Sequence, residues 1–162
     1  EDSALAWAEG IVENLARSPK GNDVDQLTAI AAGTGEITIA NTYYVARLMD
    51  SQDAKDKEVA EKLEVFFPNQ RGSGTHINIS AGAVTKSSPN PEAAVKFLEF
   101  LVSEPAQRKF AELNYEYPVN PAVPPAEILQ SWGAFKHETV ALEDLGVHNQ
   151  KAVMLFDRAG WK

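Results

Sequence analysis

Two tyrosines stand side by side in Asn41-Thr42-Tyr43-Tyr44, directly after Glu36 to Ala40, a run that alternates polar and β-branched residues. The alternation predicts a short strand. Val45 to Met49 predicts a helix behind it, with Asn41 or Thr42 as its cap. In open α/β sheets, ligands collect at such strand ends, where a loop feeds a helix N-terminus. The free N–H groups and partial positive charge of that terminus favour anions, phenolate included. Two phenols and an amide form a hard-oxygen donor set, which suits Fe(III), a cation that prefers anionic oxygen. A free phenol has a pKa near ~10, so at neutral pH only metal binding deprotonates it. Arg47 follows Tyr43 by four residues and Tyr44 by three, and on a helix it shares their face. Its permanent charge there would balance two tyrosinates without ligating the metal itself. By spacing alone, packing with one hydroxyl at the surface is the commoner use of such a pair, and both readings stand.

Other chemistry-bearing residues are more isolated. His76 lies in an extended segment beside Asn78, with no second ligand at metal spacing, and reads as a structural or hinge residue. His137 and His148 sit in polar surroundings and are expected at the surface. Tyr115 and Tyr117 alternate within a proline-punctuated connection, where packing is the simpler use. Ser73, Ser80 and Ser131 have no His and Asp companions in a recognisable motif, which leaves a hydrolase triad unsupported. Arg71-Gly72-Ser73-Gly74 is a turn, and a single GxG without a following helix is no phosphate cradle. The chain has no cysteine. Thiol catalysis, disulfides and thiolate metal sites are removed together, and an oxidising compartment fits that composition.

The elements that must position these residues follow from periodicity. Leu5, Ala8, Ile11, Val12 and Leu15 repeat at helical spacing until Ser18-Pro19. A second helix is expected from about Asp25 to Ala32, ended by Gly33 and Gly35. Ser51 to Lys62 reads as a charged, solvated surface helix. Val65-Phe66-Phe67 reads as a buried strand that Pro68 ends, and Thr75 to Thr85 as an extended run interrupted by Gly82. Asn90-Pro91 starts a helix, with Ala94, Val95, Phe97, Leu98, Leu101 and Val102 forming its apolar stripe. Ser103-Glu104-Pro105 restarts one that carries Phe110 and Leu113. Tyr115 to Pro125 is irregular connection. From Ser131 onward a short aromatic helix and a last amphipathic one, Val153 to Phe156, are expected. Strands alternating with helices make the class α/β. Opening on a helix rather than a strand, with no charged-then-apolar leader, suggests a chain that starts inside a longer protein or has lost a signal peptide.

The bulk numbers set the outer limits. At 162 residues, 44% hydrophobic and 23% charged, the chain can bury a core of one domain, or of one lobe and part of a second. No apolar run approaches the ~20 residues of a membrane-spanning helix. A net charge of −8 without clustered Lys or Arg argues against nucleic acid and anionic membranes as partners.

The runs NTYYVARL, VFFPNQ, GTHINIS, AGAVTKSSPN, EAAVKFLEFLVSEPAQ, NYEYPVNP and DRAGWK span nearly the whole chain. They resemble the ferric-ion-binding protein family, the periplasmic receptors of iron(III) ABC importers. The resemblance implies a periplasmic-binding-protein-like, class II, transferrin-like fold of two lobes. It implies that residues 1–74 begin the C-terminal lobe, 75–123 cross a hinge into the N-terminal lobe, and 124–162 return. It also implies that Tyr43 and Tyr44 both ligate iron, and that Asn41 lines an anion pocket in members that use a synergistic anion. The remaining ligands of that family come from regions this chain does not hold, so the site expected here is half a site, and a bare apolar segment from Thr75 to Leu113 is expected to favour self-association. The expected role is capture of Fe(III) in the periplasm and delivery to a membrane permease, without catalysis. A receptor of the same scaffold for a sugar, polyamine or organic anion is the alternative, with an enzyme using a tyrosine base a more distant one.

Overall fold

The computed structural model describes residues 1–161. Eight helices are present among them: α1 (Asp2–Glu13), α2 (Asp23–Ala31), α3 (Thr42–Asp50), α4 (Ala54–Ala60), α5 (Pro91–Leu101), α6 (Glu104–Asn114), α7 (Glu127–Ser131) and α8 (Leu142–Arg158). Helices α2, α3 and α4 enclose the main core, built on Leu27, Val45, Leu48 and Ala60. Val24, Ala40, Tyr44, Val59, Leu63, Val65 and Trp132 close over it. Each buried Leu or Val contributes about 1.5–3 kcal/mol relative to exposure, which makes this cluster the anchor of the tyrosine-bearing helix.

Helix α1 packs on α8, where Trp7 meets Phe156 edge-on at 6.5 Å and Phe156 meets Trp161 at 5.2 Å. Helices α5 and α6 form a third pair. At the far end Phe67 stacks on Phe135 at 4.1 Å, and Tyr117 meets the same ring edge-on at 5.5 Å.

The strand half of the expected α/β pattern is not realised among the described residues. Glu36 to Ala40, Val65 to Phe67 and residues 76–85 run without a ladder. Pairing reduces to one isolated parallel bridge, Thr75 with His137. Its Thr75 N–H donates to Lys136 O at 2.8 Å, and Glu138 N–H donates to Thr75 O at 3.0 Å. The physical reason is that a strand exists only through a neighbour that accepts and donates its backbone hydrogen bonds. Ile37 is 88% exposed and Phe66 83%, so Val65-Phe66-Phe67 is not the buried strand its composition predicts. Gly74 makes the bridge feasible. Its φ is +102°, and a Cβ there would stand 2.6 Å from the backbone carbon of His137.

Several boundaries differ from the periodicity reading. The charged stretch from Ser51 condenses into α4, whose Val59 and Ala60 face the core, so it is not a wholly solvated helix. The final helix begins eleven residues before Val153 and runs to Arg158, and the helix expected from Ser131 onward ends there instead. Helix α5 starts at Pro91 as predicted, yet none of its residues is buried; Phe97 is 59% exposed and Phe100 54%.

Candidate metal centre

The approach to the tyrosine pair is irregular chain from Glu36 to Ala40, which delivers Asn41 in an extended conformation, φ −72° and ψ 140°. Helix α3 starts at Thr42, putting Tyr43 and Tyr44 in its first turn. Neighbouring residues on a helix point ~100° apart. Here the two rings are nevertheless drawn together, with centroids 4.4 Å apart and planes inclined at 41°. Tyr44 leans on the Leu27–Val45–Leu48 core, which fixes its ring. Tyr43 lies against it on the outer side, half-buried.

Asn41 occupies the cap position, but its side chain makes no bond to the helix it precedes. Its N–H donates to Asp23 Oδ1 at 2.9 Å, and its Nδ2 approaches the same oxygen at 3.4 Å. Its own Oδ1 accepts from Asn78 Nδ2 at 3.2 Å. The amide expected to line a pocket is thus held by two other segments.

Arg47 stands one turn below Tyr43, its guanidinium carbon 5.6 Å from the ring centre. This is cation–π range. Arg47 also donates to Asn114 Oδ1 at 3.5 Å, at the end of α6. Spacing predicts a face shared with both tyrosines; contact is made with the Tyr43 ring. Beside it, the Tyr115 hydroxyl donates to Asp50 Oδ2, and Ser80 Oγ donates to Glu116 Oε2 at 3.2 Å. Tyr115 sits in the left-handed region at φ +58°, which swings its ring back towards α3.

Electrostatics favour the protonated form of Tyr43 in the absence of a cation. The Tyr43 phenol is pushed above its ordinary value, first by hydrogen bonding with Tyr44, then by desolvation, then by the proximity of Tyr44, Asp23 and Glu116. Arg47 covers the ring face rather than the hydroxyl, so the charges acting on the oxygen are negative ones. A trivalent cation would reverse that balance. A phenol that holds its proton in this way ionises when a strongly charged cation stands beside it.

Other residues singled out by type are dispersed. His76 is exposed and contacts the Glu138 carboxylate, His137 carries the bridge to Thr75, and His148 is exposed on α8. Tyr117 is raised by burial, and its hydroxyl has no protein partner. Among the described residues no group of three or more His, Cys, Asp or Glu side chains converges. Asp23 and Glu116, whose charges act on Tyr43, and Asn114, which meets Arg47, carry no local sequence signal: they lie 20 to 73 positions away from Tyr43.

Known proteins resemble this chain in sequence and fold. Over its full 162 residues the chain is 51% identical to iron uptake protein A1 of Synechocystis sp., of which it covers 45%. It superposes with a TM-score of 0.93 and 51% identity on the Trichodesmium protein IdiA (FutA), solved in complex with iron and citrate, over 99% of this chain and 51% of that one. The ferric binding protein of Campylobacter jejuni matches with a TM-score of 0.95 at 40% identity, over all of this chain and 51% of its own. The chain therefore spans about half the length of these relatives and carries the fold of that half. The model of the bacterial extracellular solute-binding proteins matches residues 1–137, and the chain belongs to that family.

Proposed function

We propose that this chain is the C-terminal half of a periplasmic receptor that captures Fe(III) and hands it to an ABC importer. Tyr43 and Tyr44 bind the metal as phenolates, Asn41 lines the place of a synergistic anion, and Arg47 compensates charge without ligating. What carries the assignment is the tyrosine pair: two rings 4.4 Å apart in the first turn of α3, backed by a core on one side and a guanidinium on the other. Such a pair offers only two donors, and a ferric ion takes more, so a second lobe completes the shell. Residues 1–74 then form the first part of the C-terminal lobe, 75–123 the hinge crossing and N-terminal-lobe segment, and 124–162 the return. Binding and release alone account for these residues.

The deciding experiment uses the full-length receptor. Fe(III) bound by phenolate gives an intense visible absorption, and Tyr43→Phe/Tyr44→Phe keeps both rings while removing both oxygens. Loss of colour together with loss of tight binding is the expected result. A double variant that still binds Fe(III) with its colour intact sinks the assignment.

A further inference from the structure

Asp23 stands in the first turn of α2, yet it does none of the capping there. That falls to its neighbours: Asn22 Oδ1 accepts from the N–H groups of Val24 at 2.9 Å and Asp25 at 3.2 Å, and Asp25 Oδ2 accepts from Asn22 N–H at 2.7 Å. With both ends of this capping box filled, the Asp23 carboxylate turns away from its own helix. Its Oδ1 takes the main-chain N–H of Asn41 at 2.9 Å and faces the Asn41 amide at 3.4 Å. One carboxylate oxygen therefore holds both the backbone and the side chain of the residue that launches α3. Asn78 grips the other end of the same amide.

We propose that Asp23 is a positioning residue for the tyrosine pair, setting the start of α3 through Asn41 and so the direction in which both phenol oxygens present themselves to metal. The proposal rests on the reading that the pair binds Fe(III). Geometry and charge pull in opposite directions here, which makes it decidable. The Asp23 charge opposes ionisation of Tyr43, so if charge dominated, removing it would strengthen metal binding. If the clamp dominates, removing it weakens binding. The bond to the Asn41 N–H is direct at 2.9 Å, and charge-assisted bonds to a backbone N–H are among the stronger hydrogen bonds. The clamp wins.

The test compares Asp23→Ala with Asp23→Asn in the full-length receptor. Asparagine keeps an acceptor oxygen at the same reach and drops the charge. Asp23→Ala is expected to lose ~10–100-fold in Fe(III) affinity, in the range of residues that orient metal ligands, and to move the ferric–phenolate band. Asp23→Asn is expected to restore most of the affinity and the band position. In metal-free protein, hydrogen exchange at the amides of residues 41 to 44 should speed up in Asp23→Ala and not in Asp23→Asn. Asp23→Ala binding as well as or better than the parent overturns the proposal, as does Asp23→Asn binding no better than Asp23→Ala. A lowered thermal midpoint with an unmoved band would reduce Asp23 to a tether between α2 and α3, and overturns it too. A parent receptor that shows no ferric–phenolate band at all fails the iron reading instead, and the exchange measurement still judges the clamp.

Discussion

The Arg47 guanidinium lies over the Tyr43 ring, 5.6 Å from its centre, and reaches Asn114 with its other side. One cation thus touches both a proposed metal ligand and the end of α6. Arg47→Gln is expected to weaken Fe(III) binding by ~10–100-fold, the range for residues that support ligands from outside the shell. Because Arg47 is exposed, the thermal midpoint of the metal-free protein should barely move. Chelator competition checks the affinity; an unchanged value would make Arg47 a solvent-facing residue.

Proton release should accompany metal uptake. With Tyr43 raised above its usual pKa, the phenol is protonated at neutral pH, and binding two phenolates expels two protons. Apparent affinity should therefore fall as pH drops, by up to about two decades per pH unit for two displaced protons. The sign for the metal-free fold follows from the same shift. Its folded state holds the Tyr43 proton more tightly than the unfolded chain, so that contribution is intact below pH ~10 and is lost as pH rises through the folded value. Tyr44→Phe removes the largest cause and should return the Tyr43 titration, followed by tyrosinate absorbance, towards its ordinary position. A Tyr43 curve unmoved by that substitution would count against the pair acting together.

The Tyr115 hydroxyl bond to Asp50 ties the chain leaving α6 to the end of α3. Both side chains are partly solvated, so Tyr115→Phe should cost about 1 kcal/mol or less. Urea unfolding should show a lower midpoint at unchanged slope. No change in midpoint would mean that the bond contributes nothing net to folding.

Leu129 is 1% exposed and sits in the five-residue helix α7. A helix this short has no stability of its own and depends on that one side chain. Leu129→Ala is expected to cost about 2–5 kcal/mol, read by denaturant melts and by loss of order around residues 125 to 135. A cost below that of an ordinary surface substitution would show that α7 is held by something else.

Studied by itself, the 162-residue chain should self-associate. Val95, Phe97 and Phe100 of α5 stand open, and such patches find partners. Exchange of the segment from Thr75 to Leu113 between copies is one route. Light scattering should give a mass above one chain, and Phe97→Lys/Phe100→Lys should lower it. A monomer that also binds Fe(III) as tightly as a complete receptor would overturn both this expectation and the half-site reading.

Helices are legible in the sequence wherever their information is local. Asn90-Pro91 and the apolar repeat behind it locate α5, because a cap, a fixed φ and a 3.6-residue period are properties of adjacent residues. The same locality exposes Tyr43, Tyr44 and Arg47 as one group, since i and i+4 meet on any helix. The strands expected at Glu36 to Ala40 and Val65 to Phe67 do not form, because β-branched and aromatic residues signal only a capacity for pairing. Whether pairing occurs depends on a distant partner, and none runs beside them among the described residues.

The amino-acid sequence by itself determined the proposed donor set, which is oxygen from tyrosine and amide with no thiol available, and the helix that bears it. Tertiary structure alone decided how those donors are held. Asp23 reaches Asn41 across 18 residues, Asn78 across 37 and Asn114 meets Arg47 across 67. No spacing rule spans such distances; the Asp23 contact, for one, exists only once the Leu27–Val45–Leu48–Ala60 core has brought α2, α3 and α4 together.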